Sequence, residues 1–275
     1  MTNTKSNGFC SPSLWARLKG MLSVDFYRLF HTPLFYIFLG IAAIIPAMVL
    51  GMTSIETAQG LSTPMYDNTW EVIAAQVQTY VVSNISEYAN MNMVYIFGGI
   101  MLAIFIGHDY KSGYVKQLFT SHPKKQDYMV SKTLVGAFAM ACMCITYLLG
   151  TVLSGLFVGA SFAVSFGSLI CAILGKIVMS LGFASLFVFL NIIFRKHFWI
   201  SIALSFFFGT GILIIGAAAI VGNSSILNIF LYGSAVSACL SRNIVTVLVC
   251  MLVSTVWAVI YNVLGTYILN KSDVY

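Results

Sequence analysis

The chain has 275 residues, of which 59% are hydrophobic and only 8% are charged, and its mean hydropathy is +0.92. An average soluble domain carries about 25% charged residues, so a water-soluble fold is excluded on balance and the bilayer is the expected solvent. The net charge of +6 does not mark a nucleic-acid partner, because the basic residues are scattered at the ends of apolar runs rather than gathered into a binding stripe.

In chain order, the first thirty residues are polar or amphipathic, and no secretory signal peptide is expected there. Ser13 to Thr32 places Leu14, Leu18, Leu22, Phe26 and Leu29 on one helical face, with Arg17, Asp25 and Arg28 interleaved, and Pro33 ends the segment. This pattern predicts an interfacial helix lying on the inner leaflet. A span needs roughly 20 apolar residues. The uncharged runs predict six spans, at about Leu34 to Met52, Asn92 to Gly107, Thr133 to Gly159, Gly167 to Phe194, Phe198 to Val221 and Ile244 to Leu269. Pro46 falls inside the first and is expected to bend it. The whole chain, 1–275, reads as a single all-α polytopic domain, with 1–33 a cytoplasmic amphipathic segment and 34–269 the six spans.

Between the first two spans lies a long loop, about Thr53 to Met91, whose charges are all acidic: Glu56, Asp67, Glu71 and Glu87. Trp70, Ile73, Val77 and Tyr80 recur in it at helical spacing and predict an amphipathic helix. Between spans five and six, Ile226 to Tyr232 and Ala235 to Leu240 are apolar but too short to cross, and read as re-entrant half-helices. With the N-terminus inside, twelve of the fourteen basic residues fall on the cytoplasmic side, Arg242 alone is outside and Lys176 is within a span. This asymmetry places both termini in the cytoplasm. The sequons at Asn84 and Asn223 would then face outward.

The six cysteines, Cys10, Cys142, Cys144, Cys171, Cys239 and Cys250, have no zinc or disulfide spacing and read as helix-packing residues. His31, His108, His122 and His197 read as surface residues rather than metal ligands. No phosphate loop, His-Glu-x-x-His or Gly-x-Ser-x-Gly motif is present, so no catalytic or metal-ligating residue is assigned and no cofactor is expected on this chain. Gly150, Gly155 and Gly159 in span three, and Gly209, Gly211 and Gly216 in span five, allow close helix contact.

The densest polar segment joins spans two and three, His108 to Lys132. Asp109 follows the span. A helix-compatible stretch from Ser112 to Thr120 comes next, with Gly113 near its start, Lys116 within it, and Leu118 and Phe119 at its end. Pro123, the paired Lys124 and Lys125, and Lys132 at the opening of span three complete it. A short helix stopped by a proline, with two apolar residues at its end, suits a rigid handle inserted into a partner's cleft, while the lysines set register on an acidic rim. The plainer reading is a solvated positive-inside loop.

This segment resembles the type-2 permeases of ATP-binding-cassette exporters. An acidic residue after span two, a glycine, a short helix with a leucine-rich end, a proline, a basic patch and a lysine opening span three stand here as Asp109, Gly113, Lys116, Leu118, Pro123 and Lys132. Asp25-Phe26-Tyr27-Arg28 in the amphipathic start and the six-span layout extend the likeness over nearly the whole chain. The family's acidic residue is commonly glutamate with a basic partner later in the loop; here the pair reads as Asp109 with Lys124 or Lys125.

The resemblance implies a membrane subunit of an ATP-driven exporter of peptides, including antimicrobial peptides, or amphipathic drugs. It implies two copies of a separate ATPase carrying ATP and magnesium, docked on the Asp109 to Lys132 loops, and a second permease, identical or a sister chain. A bacterial cell membrane is the implied setting. A stand-alone secondary transporter or membrane sensor is the alternative, though such transporters place several ionisable groups at the midplane and only Lys176 is found there. A membrane enzyme would need an intramembrane His or carboxylate cluster, which is absent. Lys176 lies roughly 15 Å into span four at 1.5 Å per residue. Burying a lysine there costs about 2.5 kcal/mol or more unless it meets water or a partner. It reads either as a cavity-lining residue on the transport path or as a snorkelling or structural one.

Overall fold

The computed structural model describes residues 13–58, 93–120, 124–158, 166–213, 216, 220, 229–240 and 244–271. All regular structure in these residues is helical. The helices are α1 (Leu14–His31), α2 (Pro33–Ala58), α3 (Met93–Lys111), α4 (Tyr114–Thr120), α5 (Lys125–Val158), α6 (Phe166–Ile193), α7 (Phe198–Thr210), α8 (Leu231–Leu240) and α9 (Ile244–Lys271). The amphipathic helix predicted in the first loop, around Trp70 to Tyr80, lies outside the described residues.

Ser13 caps α1, its hydroxyl accepting from the Ala16 amide at 3.3 Å. Pro33 has no amide hydrogen to continue the ladder, and its ring drives Thr32 into an extended conformation. The chain therefore bends by 64° between α1 and α2, while the Thr32 hydroxyl donates to the Arg28 carbonyl at 2.7 Å. The predicted interfacial helix and the start of span one thus fall at these boundaries.

Helix α6 occupies the middle of the bundle and packs against α3, α5, α7, α8 and α9. Its inner face, Phe183, Ala184, Phe187 and Val188, is fully buried, and Tyr95 of α3 stacks on Phe183 at 4.1 Å. With no hydrophobic drive between helices in lipid, close packing and interhelical hydrogen bonds hold such a bundle. Ser254 of α9 donates to the Val178 carbonyl of α6 at 2.8 Å, and Thr133 of α5 donates to Asn262 of α9 at 3.0 Å. Gly150 of α5 sits directly on the Ala43 carbonyl of α2, where any Cβ would collide with backbone.

The outer faces carry the opposite signature. On α9, Leu248, Leu252, Val256, Val259 and Val263 are all more than half exposed. A continuous apolar stripe of this length on a protein surface is a lipid-facing surface. By length and composition, three of the described helices can cross a membrane: Lys125–Ser154 in α5, Ile173–Ile193 in α6, and α9. The bent pair α1 with Pro33–Met48 makes a fourth when taken together.

Spans two and five of the sequence reading fall outside this set, for local reasons. Helix α3 is 19 residues long and its last turn is His108-Asp109-Tyr110-Lys111. Helix α7 was expected to run from Phe198 to Val221; it is interrupted after 13 residues at Thr210, and Ile212, Leu213, Gly216 and Ile220 beyond the break are again helical. Gly211 adopts φ +70° with its Cα against the Tyr232 ring, a left-handed conformation that glycine alone takes without penalty. At 1.5 Å per residue such a helix reaches only about 20 Å. Gly211 therefore ends this helix and also admits the Tyr232 ring of α8 at close range, while Gly209 makes the expected close contact on Ile96. Of the two half-helices read between spans five and six, residues 226–228 lie outside the described residues, while Leu231 to Leu240 is one unbroken helix whose Tyr232, Ser234 and Ala235 are buried in the bundle.

Candidate functional site

Where α1, the end of α3, α4 and the start of α5 meet, four charged side chains are gathered out of solvent. Asp25 is 1% exposed, Asp109 and Lys132 are 0%, and Arg28 is 24%. The Lys132 ammonium bridges both carboxylates, at 2.7 Å from Asp25 Oδ1 and 2.6 Å from Asp109 Oδ2. Arg28 Nη2 donates to the other oxygen of Asp109, and its Nη1 lies 3.9 Å from Asp25. Two cations and two anions cancel, which is the condition for holding charges at such depth.

The surrounding groups complete the shell. Ser131 donates to Asp25 Oδ2 at 2.7 Å, and the Tyr128 hydroxyl reaches Asp109 Oδ2 at 3.5 Å. Phe105, Tyr114 and Tyr128 turn ring faces to the cations. Lys132 Nζ is 4.6 Å from the Phe105 centroid, and the Arg28 guanidinium is 4.3 Å from that of Tyr114, both within cation–π range. Burial by itself lowers the Arg28 pKa, but the Asp109 hydrogen bond and the fields of Asp109 and Asp25 outweigh it and hold the guanidinium above its usual value. Burial likewise pushes the neighbouring Tyr110 phenol up to about 12, with Arg195 opposing and Asp109 adding to the rise.

The local sequence explains how the four meet. On α1 the inward stripe is Leu18, Met21, Asp25 and Leu29, spaced by three and four, so Asp25 points inward with the leucines. On α5, Asp127, Ser131 and Lys132 lie on one flank. The two helices run in the same direction, since Arg17 pairs with Asp127 at 2.9 Å, Asp25 with Ser131 and Lys132, and Phe26 and Phe30 with Phe138 at 5.1 and 6.0 Å. Asp109 comes from the last turn of α3. Gly113, at φ +72° with open space where a Cβ would be, turns the chain from α3 into α4. A left-handed φ costs other L-residues about 1–2 kcal/mol.

The residues singled out in the sequence separate into three groups. Asp109 and Lys132 belong to the buried cluster, with Gly113 at its edge. Lys116 and Lys124 are exposed, and Leu118 and Phe119 are half-buried, with Phe119 edge-on to Tyr128 at 5.7 Å. Part of the apolar surface at the end of α4 is therefore covered by the chain itself. Pro123 lies outside the described residues. Lys125 is half-buried and donates to the Leu269 carbonyl of α9 at 2.6 Å.

The pairing of Asp109 with Lys124 or Lys125 is thus corrected to Arg28 and Lys132. Both lysines precede or open α5, whereas Lys132 lies two turns further along, level with the end of α3. Lys176 stands apart on α6, roughly 25 Å along the helix from Ile193 at 1.5 Å per residue. It is 5% exposed, and no anionic side chain lies within ion-pair distance among the described residues. Asp25, Arg28, Ser131 and the three rings went unassigned from sequence. The signal for Asp25 was a carboxylate recurring in register with the buried leucines of α1.

Residues 21–212 match the family described as ABC-2 family transporter protein, and the chain belongs to it: it is a membrane permease of an ABC transporter. The matched stretch begins within α1 and includes the whole cluster. Members of this family form the membrane component, not the catalytic subunit, and normally work with an ATP-binding subunit. No curated protein matches the chain.

Removing one member of a buried ion pair commonly costs 3–5 kcal/mol because the partner charge is stranded. Lys132→Met is expected to lower stability by about that amount, read as the thermal unfolding midpoint of the purified protein in detergent. Asp25→Asn/Lys132→Met restores neutrality and is expected to be less damaged than the sum of its parts, with a coupling of about 0.5–3 kcal/mol. Strict additivity would show that the two side chains do not interact in the folded protein.

Proposed function

We propose that the chain is the permease half of an ATP-driven exporter, and that the segment from Asp109 to Lys132 is its contact with a separate ATPase. The observation that carries this reading is the buried quartet of Asp25, Arg28, Asp109 and Lys132. It makes α1, the end of α3 and the start of α5 one mechanical unit. A short helix, α4, is mounted on that unit with Lys116 and Lys124 exposed beside it. A force applied to α4 would reach α5 through the Tyr114 ring over Arg28 and the Arg28–Asp109–Lys132 ion pairs. In this scheme Leu118 and Phe119 supply the partly covered apolar edge, the lysines meet acidic groups on the motor, and Pro123 ends the handle.

Two permeases, identical or a sister pair, with two ATPase copies would form the working exporter, in a bacterial cell membrane. Peptides, antimicrobial peptides or amphipathic drugs are the proposed cargo, and the acidic loop between the first two spans suits a cationic amphipath. ATP and magnesium would sit on the motor. The co-encoded ATPase should co-purify with the wild-type chain, and Lys116→Glu/Lys124→Glu should weaken that recovery without altering the fold, since both side chains are exposed. Truncating the half-buried anchors, Leu118→Ala/Phe119→Ala, should cost docking more than about 1 kcal/mol. Undiminished recovery and transport in both variants would reduce the segment to a linker.

The six-span topology with both termini inside rests on the distribution of lysine and arginine. Single cysteines at Ser112 and Asn68 of a cysteine-free variant are expected to react from opposite sides. Labelling of both by an impermeant reagent from outside would reverse the reading.

Lys176 is proposed to line the transport path, because a buried ammonium in a span is sustained by water or by a passing ligand. Lys176→Met is expected to change cargo-stimulated ATPase activity of the assembled complex while leaving basal assembly intact. Normal stimulation and transport would assign Lys176 a structural role.

A further inference from the structure

A groove of about 520 Å³ runs between α5 and α9 on the outer flank of the bundle, with Val130 and Leu134 on one wall and Val259, Asn262 and Val263 on the other. Its size lies within the range of ligand sites, about 300–1,000 Å³. Most of the polar groups along it are already engaged, the exposed Gln126 at one end apart. Thr133 donates to the Asn262 side-chain oxygen at 3.0 Å, Asn262 donates to the Ala258 carbonyl at 2.8 Å, and Thr266 donates to the Asn262 carbonyl at 2.8 Å. The wall therefore presents methyl and methylene surface with no hydrogen-bonding demand, which suits hydrocarbon better than a polar solute.

One end of the groove is differently made. There α5 begins and α9 ends, and Lys125 ties them by donating to the Leu269 carbonyl at 2.6 Å. Lys124, one residue before this tie, and Lys271, two residues after it, are both exposed. Asp127, the acidic residue of the first turn of α5, is buried and held by Arg17 at 2.9 Å, so its charge does not cancel theirs. A basic mouth over an apolar slot, opening sideways between lipid-facing helices, matches an anionic amphipath of the membrane.

We propose that the groove is a site for an anionic phospholipid, one acyl chain lying along Val130, Leu134, Val259 and Val263 and the headgroup phosphate engaged by Lys124 and Lys271. The site requires that α5 and α9 stand in a bilayer with this mouth at headgroup level. It does not require an ATPase, so failure of co-purification would leave it untouched.

The test is native mass spectrometry of the full chain in mild detergent, titrated with phosphatidylglycerol or phosphatidylcholine. Wild-type protein is expected to retain phosphatidylglycerol preferentially. A lysine near an anionic lipid surface is worth roughly fivefold in affinity, so Lys124→Gln/Lys271→Gln should lower phosphatidylglycerol affinity by roughly 25-fold and leave phosphatidylcholine unchanged. Val259→Trp fills the slot from an exposed position and should reduce retention of both lipids; Val263→Trp tests the same wall if the first variant is misfolded by circular dichroism. Equal retention of the two lipids by wild type would overturn the proposal and indicate annular lipid only. Undiminished phosphatidylglycerol in the tryptophan variants would overturn the groove as its seat. A change in oligomeric state in place of lipid loss would assign the groove to a second copy of the chain.

Discussion

An ammonium group taken out of water needs anions, carbonyls or enclosed water at contact distance, or it loses its proton or unfolds its surroundings. Lys132, fully buried, is met by two carboxylates, and each comes from a different helix. That one requirement fixes the position of α1 on α5 and of the end of α3 against both. Arg28 then balances the second carboxylate, and the rings of Phe105, Tyr114 and Tyr128 close the remaining faces. None of the four charges can move far without stranding another, so the corner behaves as a clamp.

The clamp also accounts for the irregular chain around it. Helix α1 cannot continue straight into α2, because Pro33 breaks the ladder and the 64° bend leaves α1 alongside α5. The chain leaving α3 has to reverse within two residues to place α4 beside Asp109, and Gly113 supplies the left-handed turn. Asp127 and Arg17 repeat the pairing of α1 with α5 at its other end. Away from this corner the bundle is held by packing around the Tyr95, Phe183 and Phe187 rings and at Gly150 against α2, and by uncharged interhelical hydrogen bonds such as Ser254 to the Val178 carbonyl and Thr133 to Asn262. Rigidity is thus greatest where the proposed motor would push, and the lipid-facing flank of α9 is left to respond to the membrane.

Much of this was legible in the amino-acid order. Apolar runs locate α6 and α9 to within a turn and find α2 and α5, whose polar ends extend about two turns beyond the apolar run, since the cost of exposing backbone to lipid leaves a helix as the only outcome for such a run. Ser13 and Pro33 bracket α1, and Gly113 marks the turn before α4. The polar stretch from Asp109 to Lys132 stands out because charge is scarce elsewhere. The end of α7 at Gly211 was not legible, because glycine is common in spans and nothing local separates a packing glycine from a terminating one. It is the Tyr232 ring of α8 against Gly211 that marks the difference, from 21 residues away in the chain.

Local pattern therefore settles which segments are helical, which are apolar enough to prefer lipid, and where the chain must turn, for these depend on neighbours within a few residues. The partners of the charges do not. Asp109 was read with Lys124 or Lys125 because the resemblance places a basic partner later in the same loop, yet it pairs with Lys132 and with Arg28, 81 residues earlier. Asp25 was read as one of the interleaved polar residues of an amphipathic helix, and became a buried counter-ion only when α5 brought an ammonium against it. Coulomb attraction in a medium of low permittivity depends on distance in space, and distance in space is set by the packing of helices, which no single helix encodes.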